Sequence, residues 1–198
     1  MHRYCLALFV CLPLALVLPL PSAQAESSPQ DAFWEALSSL CGQAHAGRLV
    51  SYDEDMDAGW LPETLSMHVR HCEDDRIQIP LFVGEDRSRT WVLTRLDDGL
   101  RLKHDHRLED GSEDRMTWYG GHTRDPGRSW RQAFPVDDYS RALFHAGGLD
   151  GSIENIWYVE VVPGSHFAYG LTRTGRHLRV EFDLGEEIDT PAAAWGHD

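Results

Sequence analysis

Apolar residues recur along this chain at two spacings, and the change from one to the other divides it. Phe33, Trp34, Leu37 and Leu40 follow Ser28-Pro29-Gln30-Asp31 at three- and four-residue intervals. A capping serine, a proline at the first helical position and an acid two residues later predict a short amphipathic helix from Pro29 to about Leu40, ended by Gly42. Beyond it the period becomes two. Leu65, Met67, Val69 and His71 alternate with Ser66, His68 and Arg70, and Ile77, Ile79 and Leu81 form a second run that Pro80 marks as an edge strand.

Thr90 to Leu96 and Leu100 to Leu108 flank Asp97-Asp98-Gly99, the clearest hairpin signal in the chain. A further strand is predicted at Arg115 to Tyr119, after Glu109-Asp110-Gly111-Ser112, and another at Trp130 to Phe134. Asp137 to Ala146, stopped by Gly147-Gly148, reads as a second helix. Ile153 to Val162, Phe167 to Arg173 and Arg176 to Leu184 then alternate strongly across two tight turns. About eight or nine short strands of this kind imply a mainly β domain, a single antiparallel up-and-down barrel of lipocalin-like design with one helical insertion. Residues 185–198, rich in Ala, Pro and acids, read as a flexible tail after a barrel domain at 26–184.

The first 25 residues stand apart. His2 and Arg3 precede an apolar stretch from Tyr4 to Leu20, broken by Pro13 and Pro19, and Ala23-Gln24-Ala25 supplies a small-x-small cleavage pattern. This is the form of a secretory signal peptide rather than a spanning helix or stable membrane anchor, and it predicts a periplasmic or secreted protein. Of four cysteines, Cys5 and Cys11 lie in that leader. Cys41 and Cys72 remain, and in an oxidising compartment an isolated pair is expected as a disulfide. With 32 acidic against 18 basic residues, the net charge is −14. No basic cluster offsets it, which argues against nucleic acid as a partner.

At Leu40-Cys41-Gly42-Gln43-Ala44-His45-Ala46-Gly47 the chain resembles the opening of lipocalin-like (calycin) barrels, with Ala44 where those carry tryptophan. More broadly, Arg89 to Arg95, Leu102 to Arg107 and Arg179 to Leu184 resemble a family of exported proteins from Gram-negative bacteria. That second resemblance implies placement outside the cytoplasm and no particular chemistry.

Candidate chemistry centres on one strand. Leu100, Leu102, His104, His106 and Leu108 share a face, so two imidazoles look toward the barrel axis. Such a pair can bind a metal through two nitrogens, with His68, His71, His166 or His177 as a third ligand, or one imidazole can ligate haem iron. Gly99, His104, His106 and Glu109 are similar to the first metal motif of cupins, each spacing one residue short; Pro163-Gly164-Ser165-His166 does not meet the second motif. Asp53-Glu54-Asp55-Met56-Asp57 spaces carboxylates as a calcium loop does, but Ala58 and Thr64 stand where glycine and glutamate are needed, so a solvated acidic loop is expected. Glu160 and Glu181 fall on the face opposite the aromatic residues, as exposed partners for arginines. Nucleophile-elbow, phosphate-loop and dinucleotide motifs are absent.

Three functions fit this pattern. The first is an exported barrel without enzymatic activity that holds a small apolar or aromatic ligand among Trp91, Trp118, Trp157, Tyr169 and Phe182, with His104 and His106 as polar anchors. The second is a cupin-like metal-dependent enzyme using those histidines. The third is an envelope module that meets another protein. Cofactor and oligomeric state are left open by the sequence.

Overall fold

Ser28 and Asp31 make the reciprocal cap their spacing predicts: the Ser28 hydroxyl accepts from the Asp31 N–H at 3.1 Å, and the Asp31 carboxylate accepts from the Ser28 N–H at 3.3 Å. They open α1 (Pro29–Ser38), whose Phe33, Trp34 and Leu37 are buried. The structure, a computed structural model, describes residues 27–197; the expected signal peptide lies outside them. After α1 come β1 (Ala44–Ser51), β2 (Leu65–His68), β3 (His71–Cys72), β4 (Arg76–Val83), β5 (Asp86–Leu96) and β6 (Gly99–His106). Then follow β7 (Tyr119–His122), β8 (Arg131–Pro135), α2 (Asp138–Ala146), a 3-10 turn (Asp150–Glu154), β9 (Ile156–Val162), β10 (His166–Arg173) and β11 (Arg176–Asp183).

Every pairing is antiparallel and, apart from β3 lying beside β4, neighbours around the sheet are neighbours in the chain, with β1 pairing β11. The sheet therefore curls into a nearly closed up-and-down barrel, mainly β as expected. The remaining seam lies between β7 and β8. A single bridge joins Gly121 to Val136 there, and the Asp137 N–H donates to Gly120 O at 3.0 Å. A side chain at position 121 would have its Cβ 2.0 Å from Pro135 O, so the two strands can meet only over a glycine.

Alternation sends Ile77, Ile79, Trp91, Leu93, Leu102, Val159, Val161, Phe167, Val180 and Phe182 into the barrel, where all are buried. α1 packs at the end where β8 and β9 enclose it. Gln30 Nε2 donates to Thr123 Oγ1 at 3.0 Å, and Asp31 pairs with Arg95. One end of the barrel is thus plugged by a helix and packed side chains. The other end carries the β1–β2, β6–β7 and α2–β9 connections and the turn before β11.

Several expectations are corrected. Strand β4 is interior, not an edge: pairing with β2 stops at Met67 opposite Leu81, and pairing with β3 resumes at His71 opposite Gln78. Pro80 falls in that interruption, where a residue without an N–H can be accommodated. Strand β6 ends at His106, and Leu108 is exposed rather than inward-facing. The predicted strand at Arg115 to Tyr119 is instead a bent connection that becomes β7 only at Tyr119. Residues 185–197 are docked, not loose: Ile188 N donates to Ala44 O at 2.9 Å, Trp195 N to Arg87 O at 3.1 Å, and His197 Nε2 lies 3.0 Å from Asp105 Oδ2. Glu160 is buried rather than exposed, because Arg179 (2.8 Å) and Arg131 (3.4 Å) fold over its carboxylate. Glu181 pairs with Arg48 and Arg179 as its face predicts.

Candidate functional site

The half of the barrel away from α1 opens into a pocket. A cavity of about 370 Å³ opens there, with Trp91, Trp157, Tyr119, Phe144 and Tyr169 in its wall. Trp91 stacks on Tyr169 with centroids 4.3 Å apart, and Phe167 and Phe182 pack against its other sides at 5.9 and 6.2 Å. Trp91 therefore lies between the packed half of the barrel and the cavity.

His104 is held by two bonds that fix its tautomer. Its Nδ1 lies 3.0 Å from the Tyr119 carbonyl oxygen, which can only accept, so Nδ1 carries the hydrogen. Its Nε2, 2.8 Å from the Tyr169 hydroxyl, must then accept the Tyr169 proton. His106 Nε2 lies 3.1 Å from the Tyr119 hydroxyl. Burial pushes the His104 pKa down to about 3, with neighbouring His106 adding to the effect. Burial also lowers His106 to about 4, helped by the Arg89 guanidinium. Burial raises Tyr119 to about 12 and moves Tyr169 upward as well. At neutral pH all four groups are uncharged, forming a neutral polar strip on an aromatic wall. Tyr169→Phe would leave His104 Nε2 without its donor; we expect a stability loss of about 1–3 kcal/mol in urea denaturation.

Of the residues expected to line a site, Trp91, His104, His106, Trp157 and Tyr169 come together here. Trp118 and Phe182 do not. Tyr119 is the residue opposite His104 in the β6–β7 ladder, so Tyr119 points inward and its predecessor outward. Trp118 has a left-handed backbone (φ 59°) and donates from Nε1 to Glu113 at 2.8 Å, bordering an outer groove beside Arg101 and Lys103. Phe182 faces Gly47 and Phe167 in the filled half; it supports the floor instead of lining the cavity.

The proposed third metal ligands are elsewhere. His166 lies beside Glu160 and Ser165, and His177 beside Tyr158 and Ser51; His68 is buried near Gly42, and His71 is exposed on β3. No group of three potential ligands gathers among the described residues, and both nitrogens of His104 are already bonded. Nor is the acidic loop wholly solvated. Asp57 is buried, its Oδ1 accepting from Arg176 Nη2 at 2.6 Å and its Oδ2 from the Asp53 N–H at 2.8 Å. These bonds hold Met56 and Trp60 against the cavity mouth.

Sequence reasoning missed Tyr119, Asp57, Arg89, Arg173 and Arg176. For the arginines a signal was present. In β10, Phe167, Tyr169 and Leu171 point inward, so one further step of two reaches Arg173; in β11, Leu178, Val180 and Phe182 lead back to Arg176. In β5, Trp91 leads back to Arg89. Three inward rows end in arginine at the same mouth, and all three line the cavity.

A nearly closed antiparallel barrel with an internal cavity is the architecture of a ligand-binding barrel in the general sense. No family model matches this chain, and comparison with curated proteins and with solved structures gave no match.

Proposed function

We propose that this protein binds a small ligand with a flat apolar or aromatic body inside the barrel, without chemical turnover, and that it does so outside the cytoplasm. The observation that carries this reading is the half-filled interior. Trp91 caps a packed half, while an aromatic-walled space of about 370 Å³ is left above it, a size within the range of small-molecule sites. A barrel selected only for stability would be filled throughout. The polar strip favours holding over chemistry. Its two histidines, lowered by burial to about 3 and about 4, are weak bases, and its tyrosine protons are bound too tightly at neutral pH for either hydroxyl to serve as an anion. The leader-like sequence and the Cys41–Cys72 bridge support placement in an oxidising compartment.

Titration with naphthalene-sized aromatics, fatty acids and haem tests the reading through tryptophan fluorescence, since Trp91 and Trp157 both face the cavity. A saturable change with one-to-one stoichiometry is expected for at least one class. A response that stays linear in every ligand counts against it.

A further inference from the structure

The mouth of the cavity carries a charge pattern opposite to that of the whole protein. The chain as a whole has a net charge of −14. Yet the charged residues lining the cavity are Arg89, Arg173 and Arg176 against Asp57 alone among the described residues. Asp86 pairs with Arg89 from outside the cavity, which leaves two guanidinium groups to one carboxylate.

Those two groups face each other. Arg173 and Arg176 are direct cross-strand partners on either side of the Thr174-Gly175 turn, an arrangement of like charges that is unfavourable by itself. Asp57 takes one arm of Arg176. The other nitrogen, Nη1, is buried and has no hydrogen-bond partner among the described residues, in a side chain that is only 10% exposed. A desolvated guanidinium N–H without an acceptor is costly. Among the described residues Arg173 is held only by neutral groups, donating from Nη1 to Ser152 Oγ at 2.9 Å and to Asn155 Oδ1 at 3.1 Å, with Nη2 3.9 Å from Met56 Sδ. Ser152 and Asn155 thereby orient a cation at the cavity wall without neutralising it.

Taking as given that the barrel holds an aromatic body, we infer that its ligand is an acid, whose carboxylate is received between Arg173 and Arg176 while the ring lies against Trp91 and Tyr169. An anionic oxygen there offsets the two facing positive charges, of which only Arg176 has a carboxylate partner among the described residues. The neutral histidine strip, by contrast, presents no charge to the ligand body.

Calorimetric titration of the mature chain with 2-naphthoate and 2-naphthamide, which share a ring system and differ in charge, separates the possibilities. At pH 7 naphthoate should bind at least about tenfold more tightly than naphthamide, the yield of a charge-assisted contact. Arg173→Gln should remove most of that preference, weakening naphthoate binding far more than naphthamide binding. Arg176→Gln leaves Asp57 buried without its partner, so Asp57→Asn/Arg176→Gln accompanies it, and thermal melts confirm that each variant is folded. Equal binding of the two compounds, or a naphthoate preference that survives Arg173→Gln and the double substitution, overturns the anion site and leaves the cavity reading standing. No binding of either compound overturns the aromatic-acid site, and the cavity reading is then decided by the fatty-acid and haem titrations.

Discussion

Acidification from pH 7 to pH 4.5 should cost this protein several kcal/mol of folding stability, most of it above the range in which carboxylates titrate. Burial holds His104 at a pKa of about 3 and His106 at about 4, whereas in an unfolded chain both take up protons near the ordinary value of about 6.5. As pH falls below that value the unfolded state gains two protons that the folded state refuses. Stability is then fully present above about pH 6.5 and declines until the folded sites themselves protonate. Each histidine contributes a slope of about 1.4 kcal/mol per pH unit, so the pair gives about 2.7. His68 and His122 are also lowered, chiefly by burial, and act in the same direction. Asp105 and Asp137 are held below the usual carboxylate range by hydrogen bonds and cations, which outweigh their burial, and begin to add their loss only at lower pH. Urea midpoints between pH 7.5 and 4.5 measure the slope. His106→Gln should flatten it by about one proton's worth, and a flat profile between pH 6.5 and 5 would show that the histidines are not held neutral by burial.

Local pattern carried the barrel, because period-two alternation is a property of each strand and needs no knowledge of its neighbours. It carried His104, Trp157 and Tyr169 to the cavity for the same reason. It failed where register decides the outcome. Trp118 and Tyr119 are adjacent, and only the pairing of Tyr119 with His104 tells which of them faces inward. The Asp110 carboxylate, which accepts from the Ser112 N–H at 2.9 Å, makes the turn that the sequence announces, but the chain bends again before the next strand begins.

Long-range docking is the other source of error. Residues 185–197 look unstructured by composition, yet Ala194 is buried and His197 reaches Asp105 across 92 residues. Nothing in a window of ten residues encodes that contact. Asp57 was hidden in the same way: within its own loop it is one acid among several, and only the return of the chain at Arg176 selects it. The mouth arginines were legible but missed, because a charged residue at a strand end is most often solvated. When three such rows converge on one opening, the same residues become part of the wall.

Replacing both Cys41 and Cys72 by serine should destabilise the protein by about 3 to 4 kcal/mol, the chain-entropy value for a bridge whose cysteines are 31 residues apart. The position of the bridge makes the loss structurally specific. Cys41 follows directly on the last turn after α1, and Cys72 lies in β3, so the bond fastens the helical plug to the barrel wall. Around it, Gly42 N donates to Val69 O at 2.7 Å and Val69 N to Gln43 O at 2.9 Å. These backbone bonds survive the substitution and should preserve the native geometry. Release of the plug would expose Phe33, Trp34 and Leu37, all buried in the intact protein, to competing contacts. Hydrogen exchange should therefore show α1 opening at lower free energy than β9 or β10 in the serine variant, while the cavity half keeps its protection. Equal loss of protection in both halves would mean that the bridge stabilises the barrel as a whole rather than its plug. An unchanged melting temperature under reductant would mean that the apolar face of the helix and its contacts with Thr123 and Arg95 hold it without the bridge.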